Sequence, residues 1–314
     1  MTLYEEYVSG WKNFEAELSI FESDTQKKLL RKLKREKDRA NFLSLITEVN
    51  FGIFYAQNGA TVEYEKKYQV KDKKQEPDWT ITLNDQVFLS EVLRLNPTQK
   101  DQKRNDFGVK LLNAIEQLEG SYFVEVNYQD EYFRVLDFSL DDIVKELKDW
   151  FSTERKLGDS ITLFNNFTFT IISANTHEET VLVAGNFNSI DIDKRRLESS
   201  NSEFFKKVDK YADLIEQTSM PFVINLHIDF KNGLDSEDVF SFLYGRVDNR
   251  MIISEHTEYT SGLFYNDNVK KYLNGVLLRY NSEHIFFRNY FKGNKLSPDN
   301  LDFFKKFAPS DQLS

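Results

Sequence analysis

The stretch EPDWTITLNDQVFLSEVLRL, from Glu76 to Leu95, decides how this chain is read. Trp79, Ile81 and Leu83 alternate with polar residues as a half-buried strand does, Asn84-Asp85 carries turn chemistry, and Val87-Phe88-Leu89 belongs to a more continuously apolar strand. A hairpin is therefore expected, with Asp78 after Pro77 at the start of its first strand and Glu91 near the end of its second. Two acids held at the edge of a rigid sheet can share a divalent cation. Mg²⁺ takes oxygen ligands, usually one or two carboxylates with waters and substrate phosphates, so such a pair suits phosphodiester chemistry.

The flanking sequence extends this pattern. From Asn41 to Asn58, Phe42, Leu45, Ile46, Val49, Ile53 and Ala56 form a helical stripe that Asn58-Gly59 stops, and Glu48 lies on that helix. After the hairpin, Arg104 to Leu118 reads as an amphipathic helix with Phe107, Leu111, Ala114, Ile115 and Leu118 on one face, and Tyr122 to Val126 as a fourth strand.

From about residue 40 to 128 this order resembles the PD-(D/E)XK nuclease superfamily, in which a helix, a three-stranded meander, a helix and a strand carry the motif on the second and third strands. Pro77-Asp78 and Glu91-Val92 match that motif, and Glu48 matches the acid that many members place before the sheet. The resemblance implies Asp78 and Glu91, with the Val92 carbonyl, as ligands of Mg²⁺ or its substitute Mn²⁺, and Glu48 as an outer or second-metal ligand. One position departs from the motif: the lysine expected two residues after the second acid is Leu93. Arg94 replaces it poorly, because strand side chains alternate and Arg94 should face away from Glu91. Lys110, three residues after Phe107 and four before Ala114, borders the inward helix face and is the expected catalytic cation, with Lys66 and Lys67 as further candidates.

Charge is unevenly spread along the chain. The 314 residues carry a net charge of -10, but residues 1–110 hold 19 Lys+Arg against 18 Asp+Glu, so the acidity lies beyond them. That balance argues against a protein that coats nucleic acid over its whole surface. Three basic clusters, Lys27 to Arg39, Lys66 to Lys74 and Lys100 to Arg104, leave room for local contact with DNA, and the resemblance puts the second and third beside the metal site. With no cysteine, thiolate metal sites, disulfides and cysteine nucleophiles are excluded, and the four histidines show no ligand spacing. No apolar run is long enough for a membrane span and the amino terminus lacks the pattern of a signal peptide, so the cytoplasm is the expected location.

The remainder reads as further α/β structure. Ser139 to Lys156 and Ser202 to Gln217 are expected helices, Phe167 to Ser173 and Thr180 to Phe187 an antiparallel pair around Asn175, and Pro221 to Ile228 a buried strand. A helix near Asp235 to Tyr244 and a hairpin of Gly275 to Tyr280 with His284 to Asn289 follow. The expected fold class is α/β with an α+β mixed sheet: a helical element over 1–39, a restriction-endonuclease-like core over 40–130, and a C-terminal α/β region over 131–314, possible as a continuation of the core. No GK[ST] loop, GxSxG elbow or dinucleotide fingerprint is present, which argues against an ATPase, a serine hydrolase or a Rossmann oxidoreductase. Two functions are expected from different classes: a metal-dependent nuclease acting on DNA, or a non-catalytic binding or assembly protein that keeps the nuclease fold and offers its acidic region to a protein partner.

Overall fold

A computed structural model describes residues 2–11, 13–95, 99–128, 139–174, 181–185, 203–228, 236–245, 262–280, 283–292 and 295–308. These form a mixed α+β structure with ten α-helices and twelve strands, and the chain divides into two compact units. The first comprises Met1–Asn96, Asp191–Phe230 and Leu234–Ser314; the second comprises Pro97–Ile190 and Lys231–Gly233.

The first unit is built on a six-stranded sheet in the order β1-β4-β5-β10-β11-β12. Its strands are β1 (Thr61–Tyr64), β4 (Trp79–Leu83), β5 (Gln86–Leu95), β10 (Phe222–Ile228), β11 (Gly275–Tyr280) and β12 (Glu283–Arg288), while β2 (Tyr68–Val70) pairs with β3 (Lys73–Gln75) as a small separate ribbon. The expected hairpin is present: β4 pairs antiparallel with β5, with Trp79 opposite Ser90 and Leu83 opposite Gln86. Asn84 and Asp85 both take positive φ, 48° and 59°, the paired left-handed conformation that suits a two-residue turn between twisted strands.

One face of this sheet is covered by α4 (Arg39–Gln57), capped by Asp38 accepting from the Asn41 amide. The N-terminal helices α1 (Leu3–Gly10), α2 (Phe14–Leu18) and α3 (Ser23–Arg35) belong to the same apolar body, with Phe14, Leu18, Phe21, Leu29 and Leu33 clustered with Phe42, Ile46 and Val49. Trp79 is fully buried at its centre, 5.3 Å from Phe21 and 4.9 Å from Tyr64 between ring centroids. Close approach of α4 to this ring requires Gly52, because a Cβ there would lie 2.3 Å from Trp79 Cζ2. The other face packs against α7 (Glu203–Thr218), α8 (Ser236–Tyr244) and α9 (Asp267–Tyr272), through Val208, Tyr211, Leu214, Leu243 and Val269. Asn289 donates to the Val269 and Leu273 carbonyls at 3.1 and 2.8 Å, closing the end of α9 onto the sheet. Helix α10 (Pro298–Lys305), with Pro at its first turn and Ser297 as cap, completes the unit.

The second unit is a four-stranded sheet of β6 (Tyr122–Tyr128), β7 (Ser160–Leu163), β8 (Phe167–Ala174) and β9 (Leu182–Gly185) in the order β7-β8-β6-β9, covered by α5 (Gln99–Ile115) and α6 (Leu140–Phe151). Phe107, Leu111, Ile115, Ile143 and Leu147 fill its core against Val124, Val126, Phe167 and Phe169. Ser139 caps α6 as its sequence suggests, accepting from the Asp142 amide.

Three expectations are corrected by this topology. The strand at Tyr122, β6 (Tyr122–Tyr128), does not follow β5 in the sheet; it pairs with β8 (Phe167–Ala174) and β9 (Leu182–Gly185) in the second unit. The neighbour of β5 is β10, 127 positions beyond Leu95 at its first residue and parallel to β5, with Phe222 opposite Leu89 and Ile224 opposite Glu91. A parallel pair needs a crossover, and α7 immediately before β10 serves as one. The division at 40–130 and 131–314 is replaced by two units in which the chain leaves the sheet after β5 and returns to it at α7. Finally, β9 does not form an antiparallel pair with β8 but lies parallel to β6, and the expected turn at Asn175 falls outside the described residues.

Candidate functional site

Strand alternation and helix periodicity bring the acids of the hairpin and one half-buried lysine together. Asp78 immediately precedes β4, and its Oδ2 accepts the Val92 amide at 2.8 Å, while Glu91 Oε2 accepts the Asp78 amide at 3.1 Å. These reciprocal bonds lock the two carboxylates to each other's strand. Glu91 is buried, with a side chain only 2% exposed, and points toward α7, where the Lys207 ammonium meets its Oε1 at 2.8 Å and stands 4.0 Å from Asp78 Oδ2. Lys210, one turn further along, approaches the same Glu91 oxygen at 3.6 Å but is half exposed. Tyr211 fixes the neighbouring chain by donating to the Glu76 carbonyl at 2.8 Å.

Glu48 enters from α4. The Tyr64 hydroxyl donates to its Oε2 at 2.6 Å, and Lys32 on α3 donates to the Tyr64 oxygen at 3.2 Å. Trp79 Nε1 donates to the Glu48 carbonyl at 2.9 Å, so the ring that anchors α4 also sets the helix beside Asp78. Lys28 and Lys32 both pair with Glu65, whose amide donates to the Asp78 carbonyl at 3.0 Å. A cleft of about 490 Å³ opens beside Glu48, lined by Arg31, Lys32, Arg35, Asn41 and Ser44 among others.

Electrostatically the site holds more negative charge than the half-buried Lys207 ammonium balances. Burial, then the neighbouring Glu91 and Glu48 carboxylates, push the Asp78 carboxyl well above its ordinary range. Burial also raises Glu48, against the opposing effects of Tyr64, Lys32 and Lys207. Burial pulls Lys207 down, but Glu91 and Asp78 outweigh it and leave the ammonium harder to deprotonate than usual. Carboxylates forced toward their protonated forms are poised to exchange that proton for another cation.

The donor set is one of hard oxygens. Among the described residues no group of three or more His, Asp or Glu side chains is arranged to hold a metal ion. Asp78 and Glu91 remain as a carboxylate pair, which is within what Mg²⁺ requires when water and phosphate oxygens complete its shell. Val92, whose carbonyl the resemblance implies as a further ligand, donates its amide to Asp78.

The site residues expected from sequence are distributed as follows. Asp78, Glu91 and Glu48 share the first unit and influence one another's charge. Lys110 is exposed on α5 of the second unit, because that helix turns Phe107, Leu111 and Ile115 into its own core. Lys66 pairs with Glu63 at 2.7 Å and Lys67 lies 3.9 Å from Glu76. Arg94 turns to the α4 face, where it donates to Thr47 Oγ1 at 3.2 Å, as alternation from Glu91 demands. The residue missed is Lys207. Its signal was present: it stands three residues after Phe204 and four before Tyr211, inside the buried stripe of α7.

Comparison of the chain with family models, with curated proteins and with solved structures gave no match. None of the described helices is long and apolar enough to cross a membrane.

Proposed function

We propose that this protein is a divalent-metal-dependent phosphodiesterase of the PD-(D/E)XK type, acting on DNA in the cytoplasm. The observation that carries the reading is the Lys207 ammonium set against both Asp78 and Glu91, which supplies from α7 the cation that Leu93 cannot supply from β5. Setting aside the β2-β3 ribbon, the order helix, three sheet strands, helix, parallel strand in the first unit supports it, as do the surplus of negative charge and the basic cleft beside Glu48.

Asp78 and Glu91 would hold the cation, which when bound supplies positive charge to the phosphoryl oxygens and acidifies the attacking water. Lys207 keeps its proton through neutral pH and offers a preorganised charge to the phosphate. Glu48, oriented by Tyr64, is the outer acid beside Asp78. Arg31, Lys32 and Arg35 would neutralise the phosphodiester backbone along the cleft.

A second reading has its own observation. Both Glu91 oxygens already have partners, Oε1 in the two lysines and Oε2 in the Asp78 amide, as in a closed ionic cluster that only stabilises a scaffold. Calorimetric titration of Mg²⁺ and Mn²⁺ into the wild type and into Asp78→Ala/Glu91→Ala separates the two. Binding that the double variant loses supports the metal site; a wild type that takes up neither ion, even with DNA present, leaves the scaffold.

A further inference from the structure

Across the carboxyl ends of the three parallel strands, four basic side chains stand in one row. Arg94 of β5 is in register with His227 of β10, His227 with Arg279 of β11, and Arg279 with His284 of β12. Residues in register on neighbouring strands face the same side, and Arg94 faces α4, so the row lies on the sheet face opposite the one that presents Glu91 to α7. We propose that this row is a binding site for linked phosphate groups, separate from the carboxylate site.

Four observations support it. Three polar atoms of the row, His227 Nδ1, Arg279 Nε and His284 Nε2, are buried without a hydrogen-bond partner, although buried polar groups are normally satisfied. No carboxylate among the described residues forms an ion pair with Arg279. The row is also preorganised: Arg94 is held by Thr47, and His284 is stacked on Phe54 at 4.1 Å between centroids with an interplanar angle of 22°. Donors already fixed in place bind with little further ordering cost. Burial, with Arg94 and Arg279 beside it, holds the His227 imidazole down at about 3, and burial with Arg279 holds His284 at about 4. Both rings are therefore neutral at physiological pH in a field that favours an incoming anion.

The size of the row selects the ligand. Strands about 4.8 Å apart put Arg94 and Arg279 roughly 10 Å from each other. One carboxylate spans neither that gap nor the imidazole between them, whereas two linked phosphates present oxygens along it and match the guanidinium fork. Ligand sites in open sheets also favour the carboxyl ends of parallel strands. Such phosphates occur both in free phosphoanhydrides and in a nucleic-acid backbone.

The inference does not rest on the carboxylate site, and its test is run in EDTA. The chain has only four histidines, His177, His227, His256 and His284, so imidazole Cε1–H resonances of a ¹³C-histidine sample can be assigned with single His→Gln variants. Pyrophosphate and a 5′-phosphorylated single-stranded 12-mer are titrated separately against a chloride control of equal ionic strength. The His227 and His284 resonances are expected to move together and saturate, with those of His177 and His256 fixed, and Arg279→Gln is expected to weaken the response at least tenfold. Saturation by pyrophosphate identifies a free phosphoanhydride as the source, and saturation by the 12-mer alone identifies the backbone. If neither probe moves His227 and His284 beyond the chloride control, the proposal is overturned. The wild-type titration decides this even if Arg279→Gln does not fold.

Discussion

Replacing Lys207 with Met removes the ammonium and keeps most of its stem, so the loss isolates the charge. At 2.8 Å from Glu91 Oε1 the attraction is about 6 kcal/mol at an effective dielectric of about 20, before desolvation is subtracted. Because the Glu91 side chain is only 2% exposed, stripping away its partner should cost about 3–5 kcal/mol. Lys210 recovers part of this, being 3.6 Å from the same oxygen, but at 53% exposure its contribution is screened. The expected loss is therefore about 2–3 kcal/mol at pH 7.5, or a fall in Tm of roughly 5–10 °C. The sign of its pH dependence follows from Asp78 and Glu48. Both have raised pKa values, and Lys207 lowers both, so its removal raises them further. An acid whose folded pKa exceeds its unfolded one contributes stability at low pH and loses it as pH rises through the folded value. The deficit of Lys207→Met should accordingly shrink on going from pH 7.5 to pH 5. Urea unfolding of both proteins in EDTA at the two pH values measures it. A loss below about 1 kcal/mol at pH 7.5, unchanged at pH 5, would refute the placement of this ammonium.

Asp78→Asn should raise the Tm of the metal-free protein at pH 7.5, by about 1 kcal/mol of stability, because it removes a carboxylate that Glu91 and Glu48 repel. The same variant should lose any stabilisation by added Mg²⁺; thermal melts with EDTA and with Mg²⁺ test both, and an unchanged Mg²⁺ response would count against Asp78 as a ligand. Tyr64→Phe deletes the hydrogen bond that lowers the Glu48 pKa, so the acidic limb of a cleavage pH profile should move to higher pH; a limb that stays in place would remove Glu48 from the chemistry. Gly52→Ala drives a Cβ to 2.3 Å from Trp79 and should cost about 1–3 kcal/mol, read by urea unfolding and by a shift in tryptophan emission. A neutral result there would mean that α4 does not press on the ring as described.

Local chemistry made much of the first unit legible. The alternation of Trp79, Ile81 and Leu83 and the Asn84-Asp85 turn specify the hairpin and hence where Asp78 and Glu91 stand. The nearly continuous apolar run from Pro221 to Ile228 marks a strand covered on both faces, as β10 is. Partnership between strands was not legible, since period-2 patterns say which face is buried and nothing about which strand lies alongside. That is why β6, next in sequence, was expected where β10 lies. The same gap hid Lys207: Lys110 and Lys207 have equivalent spacing to apolar helix neighbours, and only the topology places α7, and not α5, in the unit that holds the carboxylates. The basic cluster bordering Glu48 likewise turned out to be part of the first, Arg31 to Arg35, because α3 packs against α4.

Metal-dependent cleavage is read by incubating end-labelled DNA, single- and double-stranded, and RNA with wild type, Asp78→Ala and Lys207→Ala, in Mg²⁺, in Mn²⁺ and in EDTA. The wild type is expected to cleave DNA in a cation-dependent way, with cleavage abolished by Asp78→Ala and reduced roughly 10²–10³-fold by Lys207→Ala, as for loss of a preorganised transition-state charge. Cleavage that survives in both folded variants, or a wild type that cuts none of the substrates while binding neither cation, would contradict the proposed function.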